Sequence, residues 1–157
     1  SNDEKIQATP KPTMVKVARP EKTIKNKAHD FEDNDYLEAC NAESYLLYQD
    51  PSINHKIIRK LRQGQYNAEA TLDLHGCTVQ EAAQLTSNFL NGCSEQSIRS
   101  ALVIHGKGKN ARIKTQLASW LNGHHQILAY CTAQPKHGGT GALYLLLKNP
   151  NKGEDFG

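Results

Sequence analysis

Two side chains capable of acid–base chemistry lie two residues apart in an otherwise apolar stretch, at Asp73 and His75. On a β-strand, alternate side chains point to opposite faces, so this pair projects from one face while Leu72 and Leu74 point to the other. A carboxylate beside an imidazole fixes its tautomer and stabilises its charged form, which suits His75 to be a general base or acid near neutral pH. An isolated Asp-x-His triplet can also simply end a strand, and the triplet alone leaves both interpretations open.

A second group of candidate residues is the basic loop His105-Gly106-Lys107-Gly108, which separates an apolar run from the start of a predicted helix. Free backbone N–H groups and the helix dipole attract an anion at such a position. Four positive charges follow within eight residues, at Lys107, Lys109, Arg112 and Lys114. The loop is not a nucleotide-binding P-loop, because the G-x-x-x-x-G-K spacing is absent and no Ser or Thr follows Lys107.

A third group is the glycine-rich segment from Pro135 to Gly141, in which Lys136 and His137 precede Gly138, Gly139 and Gly141. Glycines allow positive φ angles and a close approach of backbone to a ligand. Between residues 70 and 148 the sequence holds seven Lys or Arg against three acids. Such an excess predicts salt-dependent contact with nucleic-acid phosphates, or else a solvated basic face.

Metal binding is the alternative chemistry for these residue types. His75, His105 and His137 with Asp73 could ligate a divalent ion, but they lie on three separate loops without a compact spacing motif. The four cysteines include no C-x-x-C pair, which is typical of reduced thiols and not of a zinc site or a disulfide framework. The sequence therefore predicts no metal and no cofactor.

The elements that position these residues begin after Gly64. Strands are predicted at 70–74, 100–104, 127–133 and 142–147, with amphipathic helices from Thr78 to Gly92 and from Ala111 to Leu121. Thr78 and Glu81 have the spacing of a capping box. This βαβαββ order predicts an α/β two-layer sandwich, in which a four-stranded mixed sheet packs on two helices and the first crossover joins parallel strands.

The part of the sequence before residue 70 has a different composition and charge pattern. Residues 11–29 carry six basic side chains against one acid, and residues 30–50 carry seven acids with no Lys or Arg. We expect residues 1–50 to be a charged, largely disordered extension with a helix at 36–48, residues 51–69 to be a helical lead-in, 70–149 to be the domain and 150–157 a flexible tail. No apolar run of about 18 to 20 residues is present, so we expect a cytoplasmic protein with no membrane partner.

Taken together, Leu72-Asp73-Leu74-His75-Gly76, His105-Gly106-Lys107-Gly108 and Gly138-Gly139-Thr140-Gly141-Ala142 resemble the Smr (small MutS-related) domain in order and spacing. The resemblance covers about 80 residues, and the chain looks like the stand-alone bacterial proteins that carry an N-terminal extension. One departure is Asn110, where many relatives have glycine; asparagine also tolerates left-handed backbone.

The resemblance implies an endonuclease that cuts RNA, with catalysis by Asp73 and His75 and no cofactor. It implies nucleic-acid contact by the two loops and their neighbours, namely His105, Gly106, Lys107, Gly108, Lys109, Arg112, Lys114, Lys136, His137, Gly138, Gly139 and Gly141. It also implies RNA as the preferred partner with DNA as an alternative, and the ribosome as a partner for the extension. Two other functions stay open: a non-catalytic nucleic-acid or ribosome adaptor, and a DNA-nicking repair nuclease.

Overall fold

The computed structural model describes residues 40–107 and 111–148. These described residues form a five-stranded sheet and three α-helices. In chain order the elements are β1 (Leu47–Gln49), α1 (His55–Arg62), β2 (Ala70–Asp73), α2 (Val79–Glu95), β3 (Ser100–Ile104), α3 (Arg112–Leu121), β4 (Ile127–Thr132) and β5 (Ala142–Leu147). The predicted α/β class is confirmed.

The sheet has the order β1-β4-β5-β3-β2. Strands β2 and β3 are parallel and are joined through α2, as the βαβ pattern predicted, whereas β5 pairs antiparallel with both β3 and β4. Helix α2 begins at the predicted capping box, where the Thr78 side chain accepts from the Glu81 N–H and the Glu81 carboxylate accepts from the Thr78 N–H. It continues three residues past the predicted end at Gly92, to Glu95.

The helix predicted over 36–48 is wrong where the structure describes it, and residues 36–39 lie outside the described residues. Residues 40–46 form loop and turn, and Leu47–Gln49 is a strand that pairs antiparallel with β4. The predicted four-stranded sheet therefore gains a fifth strand from a segment that we had placed in the extension. Pairing with β4 overrides the helical propensity of this acidic segment, because tertiary contacts decide the state of short elements.

Side chains alternate along the central strands and form a core on each face of the sheet. Leu72, Val103 and Leu145 pack under α2 and α3, and Leu128, Cys131 and Leu146 pack with Ile58 and Leu61 of α1 on the opposite face. The face that the two-layer prediction left bare is thus partly covered by α1. No helix among the described residues has the length and apolar content needed to cross a bilayer.

The strand registers place one end of each of the five strands along one edge of the sheet. Asp73 pairs with Ile104, Ile104 with Ala142, and Thr132 with Leu143, while the Thr132 N–H donates to the Leu46 carbonyl. We call this row the upper edge. The segments that leave it are the Asp73–His75 turn, the His105–Lys107 loop, the 133–141 loop and the turn before β1.

Candidate active site

The Asp73 and His75 side chains form a direct pair at the end of β2. The distance from Asp73 Oδ1 to His75 Nδ1 is 2.6 Å, and the same oxygen accepts the His75 backbone N–H at 3.0 Å. A carboxylate accepts only, so the proton of the neutral ring lies on Nδ1 and the Nε2 lone pair is left free. The His75 side chain is 66% exposed and Asp73 is 31% exposed. This arrangement presents a fixed tautomer, with its proton-accepting nitrogen available to a ligand.

Three segments that are distant in sequence meet beside this pair. The backbone N–H groups of His105 and Gly106 both donate to the Gly141 carbonyl at 2.9 Å. A Cβ added at Gly106, whose φ is +85°, would lie 3.3 Å from His75 Cβ, and one added at Gly141 would lie 3.2 Å from Lys107 Cγ. The left-handed backbone of Gly106 favours glycine there, and both positions leave little room for a side chain.

A cleft of about 690 Å³ opens next to the imidazole. Its walls are the loop from His75 to Cys77, the first residues of α2 with their cap, the loop from His105 to Lys107, and residues 111–114 at the start of α3. It lies at the carboxyl ends of two parallel strands, where ligands bind in open α/β sheets. The exposed side of the Asp73–His75 pair therefore faces the cleft, with His75 in its wall.

The electrostatics of the cleft favour an anion. The N-terminus of α3 opens into it with no acid in its first turn, and this end of a helix carries a partial positive charge. Ala111, which precedes α3, has left-handed backbone angles and gives no side-chain cap, so no side chain of its own competes for the first N–H groups of the helix. Lys107 and Arg112 line the same space with exposed side chains. A phosphodiester has the charge that these groups attract.

His105 lines the cleft but is buried, with 3% of its surface exposed. Its Nδ1–H donates to the Gly106 carbonyl at 2.9 Å, and its Nε2 is buried without a hydrogen-bond partner among the described residues. Burial lowers the pKa of this imidazole from 6.5 to about 4, and Lys114 lowers it further. His105 is therefore neutral at pH 7, and most of its surface packs inside the protein, so the predicted contact of this residue with nucleic acid stays a prediction.

Lys114 also differs from the prediction. Its side chain is 2% exposed, and its ammonium donates to the backbone carbonyls of Ala42 and Ser44 at 3.1 and 2.6 Å. Burial lowers the pKa of this lysine. Its charge anchors the segment that leads into β1 on α3, and we do not count it among the groups that face a ligand.

The 133–141 loop connects β4 to β5 at the upper edge. Lys136, His137 and Gly138 are exposed, and Gly139 is partly exposed. His137 Nδ1 lies 2.5 Å from the Tyr144 hydroxyl, which ties the loop to β5. Gly108 and Lys109 lie outside the described residues.

The structure does not gather the histidines into a metal site. Within residues 40–107 and 111–148, no three side chains among His, Cys, Asp and Glu are grouped so as to hold an ion. The Nδ1 atoms of His105 and His137 are bonded to different partners, Gly106 and Tyr144. Our sequence analysis missed the wall formed by residues 76–80, although the capping box was the signal that a helix N-terminus faces this region.

The chain is similar to several known proteins and to one protein-family model. A family model described as the Smr domain matches residues 72–148. A Yersinia enterocolitica protein named ribosome rescue factor SmrB is 31% identical over 139 residues, which cover 87% of this chain and 78% of that protein. Escherichia coli K12 probable DNA endonuclease SmrA is 31% identical over 118 residues, covering 72% of this chain and 63% of that protein. The crystal structure of YdaL, a stand-alone small MutS-related protein from Escherichia coli, superposes with a TM-score of 0.62 at 32% identity, covering 71% of this chain and 89% of YdaL.

Proposed function

Because the chain belongs to the Smr domain family, we propose that it is a nucleic-acid endonuclease that cuts RNA in preference to DNA, with Asp73 and His75 as catalytic residues. The observation that carries the proposal is the 2.6 Å contact between Asp73 Oδ1 and His75 Nδ1 at the mouth of a cleft that attracts anions. A positioned proton acceptor beside a phosphate site is what phosphodiester cleavage requires. We propose that the protein acts in the cytoplasm, where ribosomes and messenger RNA are found.

The reaction begins when His75 Nε2 accepts the proton of a ribose 2′-hydroxyl and the 2′-oxygen attacks the adjacent phosphorus. The bond from phosphorus to the 5′-oxygen then breaks, leaving a cyclic phosphate upstream and a 5′-hydroxyl downstream whose proton comes from solvent. Asp73 keeps the imidazole in position and stabilises its protonated form. Lys107, Arg112 and the N-terminus of α3 stabilise the charge on the phosphorane-like transition state.

The test is cleavage of a labelled single-stranded RNA by the full chain and by His75→Ala and Asp73→Asn. General acid–base catalysis contributes about 10²- to 10⁴-fold, so we expect a loss of that order for His75→Ala and a smaller loss for Asp73→Asn. His125→Ala is the matched control, because this exposed histidine lies outside the cleft lining. Equal rates for His75→Ala and the unchanged protein would exclude the proposed catalytic role.

Substituting 2′-deoxyribose at the cut site distinguishes the two nucleophiles. With a 2′-hydroxyl nucleophile, the deoxy substrate stays intact and the downstream RNA fragment carries a 5′-hydroxyl. Efficient cutting of DNA would instead favour water as nucleophile and a DNA-nicking role, the activity that the name of the SmrA relative gives to that protein. Parallel reactions with excess chelator establish whether a divalent ion takes part.

We also propose the ribosome as a partner, because several relatives are named ribosome rescue factors. The charged residues before 40 are the part of the chain that we assign to this contact. Since Leu47–Gln49 belongs to the sheet, a truncation that tests the contact has to begin at residue 40 and not at 51. Loss of co-sedimentation with ribosomes but retention of RNA cleavage is the expected result. A ribosome effect that survives His75→Ala would favour the non-catalytic adaptor.

A further inference from the structure

We propose that the exposed face of α1, together with Tyr45, is a second binding surface for single-stranded nucleic acid, continuous with the catalytic cleft along the upper edge. The inference rests on the proposed nuclease function for its choice of ligand. The proposed track runs from Asp73 on β2 to Tyr45 before β1 and so crosses the whole sheet. None of the three sequence motifs that resemble the Smr domain includes Tyr45 or a residue of α1.

The ionisable side chains of α1 are all basic. Its eight residues, His55–Arg62, include two arginines, two lysines and one histidine, and no acid. His55, Arg59 and Arg62 recur at i, i+4 and i+7 and therefore share one face, and all three are exposed. Within the described residues, neither Arg59 nor Arg62 forms an ion pair with a carboxylate. Their charges are available to phosphates.

An aromatic ring lies next to these charges. Tyr45 is 48% exposed, one of the two large hydrophobic side chains with high exposure in the described part of the chain. The Arg62 guanidinium carbon lies 5.2 Å from the centre of the Tyr45 ring, and Arg62 Nε donates to the Tyr45 hydroxyl at 3.1 Å. An oriented ring beside arginine is the combination on which unpaired bases stack. Tyr45, the exposed face of α1 and Gln134 together line a cleft of about 490 Å³.

Contacts connect this surface to the active site. Gln134 Nε2 donates to the Arg62 carbonyl at 2.8 Å, which joins the end of α1 to the 133–141 loop. At the other end of that loop, Gly141 accepts from the N–H groups of His105 and Gly106, beside His75. Exposed Lys136 and His137 lie between the two ends. The binding surface and the cleft are therefore parts of one edge.

The strand order sets the length of the track. From β2 to β1 there are four strand spacings of about 4.8 Å, or about 19 Å in total. At roughly 3.4 Å per nucleotide for a stacked strand, this distance accommodates about six nucleotides. A four-nucleotide ligand held in the catalytic cleft should not reach Tyr45, whereas a twelve-nucleotide ligand should.

The experiment measures binding of oligouridylates of 4 and 12 nucleotides by fluorescence anisotropy, using full-length protein with His75→Ala so that the RNA stays intact. For the 12-mer, Arg59→Gln/Arg62→Gln should weaken binding at least about fivefold and lower the slope of log K against log salt by about 1.4. Tyr45→Leu should weaken it at least about fivefold, and Tyr45→Phe much less, because the ring is retained. Affinity for the 4-mer should change less than twofold in each variant.

Lys56→Gln is the matched control, since it removes an exposed α1 charge that does not line the cleft beside Tyr45. A 12-mer affinity that falls no further in the double variant than in Lys56→Gln overturns the proposal, as does an equal loss for both lengths. Unchanged thermal unfolding temperatures establish that the variants are folded.

Two further measurements identify the ligand. Equal losses with a 12-nucleotide DNA support a surface that reads phosphates and base faces, and losses with RNA alone support one that also contacts the ribose. Poly-glutamate that binds as tightly as RNA, with the same dependence on Tyr45, would overturn the proposal in favour of an acidic protein partner. Failure of the nuclease proposal is distinguishable, because it appears as cleavage that does not depend on His75, whatever the binding results.

Discussion

The buried imidazole of His105 should make the stability of the fold fall steeply between pH 6.5 and pH 4. In the unfolded chain this group has its ordinary pKa of 6.5, and in the folded protein burial lowers the pKa to about 4. Above pH 6.5 both states are neutral and the free energy of unfolding does not depend on this group. As the pH falls below 6.5, the unfolded state binds a proton that the folded state does not, so stability is lost.

The size of the effect follows from the two pKa values. The full shift corresponds to about 3 kcal/mol at 1.36 kcal/mol per pH unit, and at pH 5.0 about 2 kcal/mol of it has been lost. Urea unfolding followed by circular dichroism at pH 7.5 and pH 5.0 measures this difference. His105→Asn removes the titrating group and keeps an amide that can donate to the Gly106 carbonyl. Between pH 7.5 and pH 5.0, the free energy of unfolding of His105→Asn should therefore fall by about 2 kcal/mol less than that of the unchanged protein.

His55→Asn is the control for this experiment, because His55 is exposed. This variant should reproduce the pH dependence of the unchanged protein. Parallel curves for His105→Asn and the unchanged protein would refute the inference that His105 is held neutral by burial. The free-energy cost of the cavity that the smaller side chain leaves is present at both pH values, so it cancels when the pH dependences are compared.

Three other perturbations test the architecture around the cleft. Lys114→Met leaves two carbonyls without their ammonium donor. We therefore expect the free energy of unfolding to fall by about 1 to 3 kcal/mol and hydrogen exchange in residues 40–46 to become faster. Unchanged exchange would contradict the anchoring role. Gly106→Ala forces a side chain into a left-handed backbone 3.3 Å from His75 Cβ, and should cost about 1 to 2 kcal/mol and slow RNA cleavage. Its control is Gly92→Ala inside α2, which meets no atom within 4 Å and should stabilise the protein by up to about 1 kcal/mol in urea unfolding. Thr78→Ala removes the cap of α2 and should cost about 1 kcal/mol, and a change below about 0.3 kcal/mol would show that the capping box contributes little.

Local patterns were sufficient to predict the elements from β2 to β5. The capping box defined the start of α2, and the apolar run Ser100–Ile104 coincides with β3. The spacing of the polar pair and the glycine loops predicted which segments belong to the site, and the registers bring those segments together. The sequence signals were strong there because each depends on residues that are close in the chain.

The parts that could not be predicted depend on partners distant in sequence. Strand β1 is three residues long, and its partner on β4 lies about 80 residues away in the chain. Lys114 was assigned to the ligand by its charge, although it recurs with Leu117, Ala118 and Leu121 at the spacing of the buried face of α3. The carbonyls of Ala42 and Ser44 accept hydrogen bonds from the buried ammonium and offset the cost of its burial, and no residue near Lys114 in the sequence indicates these partners.

Strand β1 also covers the side of β4 that faces away from β5. All six residues of β4 are buried, and without β1 one side of that strand would present its backbone N–H and C=O groups to solvent. An exposed apolar edge of that length is a template on which another chain can add a strand. A chain shortened to the segment that the family model matches should therefore aggregate during purification, whereas one that starts at residue 40 should remain monodisperse.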